Sequence, residues 1–271
     1  MSRTRIVLTA GAVLAVLAMF AGAAVGAQML LRRQAAVARR RIGKPLGELA
    51  PHSDRVWHKQ LPGRAVELLV LGDSIAAGLG ADRRKDTLGA RLAKGLAQRL
   101  GRPVRLQTAA LVGSESSALG AQIDALPAGY AADVAVIVVG GNDVTHRIPV
   151  SVSAEHLRAA IVRLRERGTQ VVVGTCPDLG ALRPVPQPLR ALGSQMSRQL
   201  AAAQAAVAER SGARAVSLRR AVGAVFFDKP DEMFGVDSFH PSALGYRHMA
   251  EALLPVLLDS VQSRAEVPAA V

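Results

Sequence analysis

The sequence predicts an α/β protein, with a three-layer domain built on a five-stranded parallel sheet and preceded by one N-terminal transmembrane helix. Two observations support this fold class. Along residues 65–262, short runs of β-branched residues alternate with helical stretches, and strand candidates such as Val134–Val139 are apolar throughout. Strands buried on both faces are typical of parallel sheets covered by helices. The second observation is a long uncharged run ahead of that domain.

The uncharged run extends from Ile6 to Leu31. At about 1.5 Å per residue it could cross a hydrocarbon core of about 30 Å. The small residues Ala21–Ala24 also allow a cleaved signal peptide, but signal cores are usually about 7–15 residues, so a retained anchor over residues 1–31 is favoured. By the positive-inside rule the basic cluster behind the run predicts a cytoplasmic domain, with export as the alternative. The cluster could also contact anionic lipid headgroups through Arg32, Arg33, Arg39, Arg40 and Arg41.

Residues 32–64 are basic, contain three prolines and are interpreted as a linker. The domain follows, and residues 263–271 form a C-terminal tail. The strand candidates are Val66–Leu71, Val104–Thr108, Val134–Val139, Val171–Thr175 and Ala213–Leu218. The helix candidates are Thr87–Leu100, Glu115–Leu126, Ser153–Arg167, Pro188–Arg210 and Ser242–Gln262. The proline-rich stretch Pro177–Pro188 is expected to be an exposed loop.

Charge and composition exclude several classes of function. The net charge is +13, but residues 1–44 contain eight basic residues and no acidic ones, so the rest of the chain carries 26 basic and 21 acidic groups. With 3% aromatic residues, nucleic-acid binding is not expected. The single cysteine, Cys176, excludes an internal disulfide. No His/Asp/Glu cluster has metal-ligand spacing and no phosphate-binding glycine motif occurs, so neither a metal nor a cofactor is predicted.

Three polar clusters follow predicted strands or precede a helix. Ligand sites of parallel sheets lie at the carboxyl ends of the strands, where these clusters would meet. Together they supply a hydroxyl, a side-chain amide and an Asp–His pair, which is the chemistry of nucleophilic catalysis. Each cluster alone would also be ordinary turn or capping chemistry. The clusters are Gly72-Asp73-Ser74, Gly140-Gly141-Asn142-Asp143 and Asp237-Ser238-Phe239-His240-Pro241.

In these clusters the sequence resembles the SGNH hydrolases, also called GDSL-type esterases and lipases. Ser74 matches the serine of the first family block, and Gly113 resembles the glycine of the second. Asn142 matches the asparagine of the third block. Asp237 and His240 match the fifth block, which is also supported by the residues that follow, Pro241, Gly245 and Tyr246.

The resemblance covers about Glu67 to Leu258 and implies a flavodoxin-like sheet and ester hydrolysis through an acyl-serine. It makes Ser74 the nucleophile, His240 the general base and Asp237 the residue that orients the imidazole. The implied oxyanion hole consists of the backbone amides of Ser74 and Gly113 and the side-chain amide of Asn142.

The predicted function is a serine esterase that acts on an acyl ester of a lipid, glycan or small molecule. An acyltransferase that uses the same serine is one alternative, and a catalytically idle, membrane-tethered binding module is another. The motif G-x-S-x-G is absent, which excludes the larger α/β-hydrolase pattern. Asp73 and Asp143 are interpreted as hydrogen-bonding to their own turns rather than as a second acid pair.

Overall fold

The computed structural model describes the backbone of residues 3–265 and the side chains of residues 17–264. Within these residues one sheet has six strands. They are β1 (Val56–Trp57), β2 (Val66–Gly72), β3 (Val104–Thr108), β4 (Val134–Val138), β5 (Gln170–Gly174) and β6 (Arg214–Val216).

The strands lie in the order β1-β3-β2-β4-β5-β6. Strands β2 to β6 pair in parallel, whereas β1 pairs antiparallel with β3. The five predicted strands are confirmed, but the prediction of a purely parallel, five-stranded sheet is wrong, because β1 lies in the predicted linker 32–64 and makes the sheet mixed. Two residues are too few to produce a recognisable period of two in the sequence.

Helices cover both faces of the sheet. In chain order they are α1 (Arg3–Ile42), α2 (Ser74–Ala77), α3 (Leu88–Leu100), α4 (Leu119–Asp124), α5 (Gly141–His146), α6 (Val150–Glu166), α7 (Leu189–Arg210), α8 (Leu218–Asp228), α9 (Pro230–Met233) and α10 (Ala243–Ala265). One layer contains α3, α8 and α10, and the opposite layer contains α4, α6 and α7. The predicted three-layer arrangement is therefore confirmed.

Successive side chains of each strand point to opposite faces of the sheet, so a hydrophobic core forms on each face. In β2, Leu68 and Val70 pack under the α3–α10 layer, whereas Leu69 and Leu71 pack under the α4–α7 layer. All four side chains are buried, which explains why the strand is apolar from Leu68 to Leu71.

The connections create a switch point between β2 and β4. From β2 the chain passes through α3 to β3 on one side, then returns through α4 to β4 on the other side of β2. Crossovers that leave two neighbouring strands in opposite directions open a crevice at their carboxyl ends. Ser74 follows β2 and Asn142 follows β4, so the topology brings both to this crevice.

Several elements differ from the prediction. The helix predicted over Glu115–Leu126 is a 3-10 turn at Ser116–Ala118 followed by α4. The short helices α5, α8 and α9 were not predicted. Helix α10 includes residues 263–265 of the predicted tail 263–271. Residues 266–271 lie outside the described residues.

The N-terminal helix α1 extends through Ile42, so the first part of the predicted linker is helical. Among the described residues no helix is long and apolar enough to cross a membrane. The predicted transmembrane span Ile6–Leu31 and the lipid contact of the five arginines behind it therefore gain no support from the fold. Residues 6–16 lie outside the described side chains, and the membrane side stays a prediction.

Candidate active site

The turn between β2 and α2 presents Ser74. Gly72 has φ of +131°, and a Cβ there would lie 1.8 Å from the carbonyl oxygen of Val138, so the turn requires glycine. Asp73 caps α2, because its Oδ1 accepts a hydrogen bond from the amide of Ile75 at 2.9 Å. The amide N–H of Ser74 has no partner among the described residues and is available to a ligand.

Two buried side chains support this turn. Gln122 of α4 holds both backbone groups of Gly72, accepting from its amide at 2.9 Å and donating to its carbonyl at 2.8 Å. Asp73 is 2% exposed, and burial raises its pKa to about 6, although the hydrogen bond from the Ile75 amide favours the ionised form. Sequence reasoning missed Gln122, since a lone glutamine in a helix carries no motif.

The loop before α10 brings His240 and Asp237 to the serine. Nε2 of His240 lies 2.9 Å from Oγ of Ser74, and its Nδ1 lies 2.6 Å from Oδ2 of Asp237. The other carboxylate oxygen, Oδ1, accepts the backbone amides of Phe239 and His240, both at 3.0 Å. The structure thus assembles the three predicted catalytic residues into one continuous hydrogen-bonded chain.

The electrostatics of this chain keep Asp237 ionised and orient the imidazole of His240 towards Ser74. Burial alone would raise the pKa of Asp237, but the hydrogen bonds from the His240 side chain and from the two backbone amides outweigh it and lower the pKa. The carboxylate is therefore ionised at neutral pH and accepts from Nδ1–H of His240. That leaves Nε2 free to accept the hydroxyl proton of Ser74.

The loop after β3 brings Gly113 to the same crevice. It is held at one end by the amide of Leu111, which donates to the carbonyl of Gly72 at 3.1 Å. At the other end the carbonyl of Ser114 accepts from Nδ2 of Asn142 at 2.8 Å. Gly113 between them has φ of +83°, and its amide has no partner within the described part of the chain. Asn142 retains a second N–H that this contact does not use.

Asp143 also holds the loop after β3 that carries Gly113. It is 1% exposed and accepts from the amide of Ser116 at 3.0 Å and from Oγ of Ser153 at 2.7 Å. The prediction that Asp143 hydrogen-bonds to its own turn is therefore wrong, because its partners lie in other elements. The same prediction is confirmed for Asp73, which caps its own helix.

The histidine loop packs on a glycine that sequence reasoning did not assign. Gly80 has φ of +101°, and a Cβ there would lie 2.5 Å from the carbonyl oxygen of Pro241 and 3.0 Å from Cβ of His240. Nearby, the hydroxyl of the buried Tyr246 donates to the carbonyl of Leu79 at 2.6 Å. These contacts set how far His240 lies from the serine.

An apolar pocket with a cavity volume of about 50 Å³, partly open to solvent, lies beside Ser74. It extends between α8, α10 and the segment that follows β5. That segment includes the predicted loop Pro177–Pro188. The prediction that this loop is exposed is wrong for Ala181 and Leu182, which are only 5% and 4% exposed. Among the apolar residues of the lining are Leu179, Leu182, Leu218, Val222, Phe226 and Met249.

Comparison with known proteins gives concordant matches. Residues 70–248 match the model of the GDSL-like lipase/acylhydrolase family. A GDSL-like esterase of Mycobacterium tuberculosis is 38% identical over an alignment of 271 residues, which covers 96% of this chain and 84% of the relative.

Solved structures share the fold. A lipase/acylhydrolase from Enterococcus faecalis has a TM-score of 0.56 and 18% identity, covering 76% of this chain and 100% of its own. An acetyl xylan esterase from Geobacillus stearothermophilus has a TM-score of 0.53 and 20% identity, covering 72% of this chain and 95% of its own. At these identities the likeness concerns the fold alone.

Proposed function

Because the chain belongs to the SGNH hydrolase family of GDSL-like lipases and acylhydrolases and is an ester-hydrolysing enzyme, we propose that it cleaves a carboxylic ester through an acyl intermediate on Ser74. One observation carries the proposal: the imidazole of His240 is within hydrogen-bond distance of the Ser74 hydroxyl, at 2.9 Å, and of the Asp237 carboxylate, at 2.6 Å. A serine hydroxyl is a weak nucleophile until a base removes its proton, and this arrangement supplies the base.

In the first step Oγ of Ser74 attacks the ester carbonyl carbon while Nε2 of His240 takes the hydroxyl proton. The C=O π bond opens, and its electron pair becomes the oxyanion of a tetrahedral intermediate. The carboxylate of Asp237 stabilises the imidazolium that forms and keeps the ring in the productive orientation.

The oxyanion is bound by three N–H donors. Two are the backbone amides of Ser74 and Gly113, and the third is the unused N–H of the Asn142 side chain. Donors that are held in place before the reaction stabilise the developing charge without reorganising, and loss of one typically costs about 3–4 kcal/mol of barrier. The hydrogen bond from Asn142 to Ser114 orients both the side chain and the loop that carries Gly113.

Collapse of the intermediate breaks the bond to the alcohol oxygen, which receives the proton from Nε2 of His240 and leaves as the free alcohol. Water then attacks the acyl-serine and gives a proton to the same nitrogen. The second tetrahedral intermediate releases the carboxylic acid, and the proton returns to Oγ of Ser74.

Hydrolysis of p-nitrophenyl butyrate by the full-length chain tests the proposal. Ser74→Ala is expected to lower kcat/KM by at least about 10³-fold because the acyl group loses its attachment atom. The matched control is Ser117→Ala, which removes an exposed hydroxyl outside the site and is expected to leave kcat/KM unchanged. Ser74→Ala with wild-type activity would overturn the acyl-serine mechanism.

A further inference from the structure

A second cleft lies beside β1, at the edge of the sheet. It has a volume of about 550 Å³, is open to solvent and shares no lining residue with the pocket beside Ser74. Its walls are the segment around β1 and the loop that joins α2 to α3. Four of its residues are cations and one is acidic, which makes the cleft strongly positive. The lining residues are Arg55, Trp57, Asp82, Arg83, Arg84 and Lys85.

Neighbouring carboxylates do not neutralise this charge. Among residues 17–264, none of the four cations lies within 4.0 Å of a carboxylate oxygen. Two acidic residues that adjoin them in the sequence are engaged elsewhere. Asp86 pairs with Arg91 at 2.8 Å, and Oδ2 of Asp54 accepts the amide of Thr108 at 2.9 Å. Cations that share a cleft without counter-ions raise the local potential and attract anions.

The indole of Trp57 is close to two cations. Cζ of Arg55 lies 5.4 Å from the centroid of the ring, and Nζ of Lys94 in α3 lies 5.8 Å from a ring centroid of the same side chain. Burial, followed by the charge of Arg91, lowers the pKa of Lys94. A cation over an aromatic ring is held less strongly than one paired with an oxyanion, so Arg55 can turn from the indole to an anion that enters the cleft.

We propose that this cleft binds a phosphate monoester, either free in solution or as the headgroup of an anionic lipid. Such a group carries about 1.5–2 negative charges at pH 7 and has three acceptor oxygens, which several cations can share. A guanidinium group can bind two phosphate oxygens at once, and Arg55, Arg83 and Arg84 provide three such groups. A carboxylate carries a single charge and would leave most of the cleft uncompensated.

The fluorescence of Trp57 can report binding, because Trp57 is the only tryptophan of the chain. Inorganic phosphate is titrated into the full-length protein while sodium chloride keeps the ionic strength constant. We expect a saturable change in the indole fluorescence, since a bound anion draws Arg55 away from the ring. A change no larger than that caused by sodium chloride alone reflects screening and shows no binding.

Variants of the loop between α2 and α3 tie the signal to the cleft. The loop variant, Arg83→Gln with Lys85→Gln, loses two of the four cations and should raise the dissociation constant for phosphate by at least about tenfold. The matched control is Arg198→Gln with Arg210→Gln, which removes two exposed cations of α7 in the opposite helix layer and should leave the constant unchanged. Exchanging the two loop cations, Arg83→Lys with Lys85→Arg, keeps the charge and should bind more tightly than the loop variant.

Vesicles distinguish the two sources of the phosphate group. Binding of the full-length chain is compared on phosphatidylcholine vesicles with and without phosphatidate. If the loop variant, but not the α7 control, loses binding to the phosphatidate vesicles, the ligand is a lipid headgroup. If vesicle binding is unchanged while the response to inorganic phosphate weakens, the ligand is a soluble phosphate ester.

Two results would overturn the proposed phosphate site. One is a loop variant that matches the wild type in both assays. The other is a wild type that shows neither a saturable response to phosphate nor a preference for phosphatidate. Ester hydrolysis is not a readout of either assay, so these results are independent of the acyl-serine mechanism.

Discussion

Replacing the carboxylate of Asp237 by an amide gives a sharp test of the hydrogen-bonded chain. In Asp237→Asn the carbonyl oxygen can still accept the backbone amides of Phe239 and His240, now at 3.0 Å from Oδ1. The new NH₂ group, however, faces Nδ1 of His240, which lies 2.6 Å from Oδ2 in the wild type. An amide donates there, so the imidazole must accept at Nδ1 and carry its proton on Nε2. That nitrogen can then no longer accept the proton of Ser74.

The expected effect on catalysis is large. A wrong tautomer in a triad of this kind lowers kcat by about 10⁴-fold, which corresponds to about 5 kcal/mol of barrier. The effect on stability is small, because the backbone hydrogen bonds persist. Asp237→Ala loses them as well as the bond to His240, and at about 1 kcal/mol per hydrogen bond it should be less stable than the Asn variant by about 2–3 kcal/mol.

The assay pairs steady-state hydrolysis of p-nitrophenyl butyrate with urea unfolding for wild type, Asp237→Asn and Asp237→Ala. Asp237→Asn is expected to unfold at nearly the wild-type urea concentration while its kcat falls by about 10⁴-fold. A folded Asp237→Asn enzyme with kcat within tenfold of wild type would show that Asp237 does not set the tautomer of His240.

Three further predictions concern the surroundings of the triad. Asn142→Ala should lower kcat by about 10²–10³-fold with little change in the melting temperature, since one oxyanion donor is lost; an unchanged kcat would remove Asn142 from the oxyanion hole. Gly80→Ala should lower both kcat and the unfolding midpoint in urea, because a Cβ would lie 2.5 Å from the Pro241 carbonyl oxygen at φ of +101°; wild-type values of both would contradict this. Burial raises the pKa of Asp73 from 3.8 to about 6. The folded protein therefore binds that proton more tightly than the unfolded chain does. As pH rises from about 4 to about 6, the free energy of unfolding should fall by up to about 3 kcal/mol. Asp73→Asn should remove this component, measured by urea unfolding across that range, and an undiminished pH dependence would argue against it.

The fold was predictable where burial leaves a strong pattern. The core of β4, Val134–Val138, is apolar at every position because helices cover both faces of the sheet, and its short length and β-branched residues favour a strand over a buried helix. The strand β1, Val56–Trp57, has only two residues and depends on pairing with β3. Helix α8, Leu218–Asp228, contains Gly223 and was missed, since glycine weakens the helical signal.

The convergence of Ser74, Asn142 and His240 was predictable because strand ends and the start of the last helix meet at one edge of a parallel sheet. The supporting contacts were not. Gln122 holds Gly72 from a position 50 residues away, and Asp143 holds Ser116 from a position 27 residues away. Such pairs depend on tertiary geometry, and neither partner carries a local signal that would identify the other.

Covalent labelling of the nucleophile is the most direct test of the acyl-serine mechanism. The full-length enzyme is treated with a fluorophosphonate, and the modified peptide is identified by mass spectrometry. We expect one adduct per chain, on the hydroxyl of Ser74, with labelling abolished in Ser74→Ala and strongly slowed in His240→Ala. An enzyme that hydrolyses esters but carries the adduct on another residue would contradict the acyl-serine mechanism.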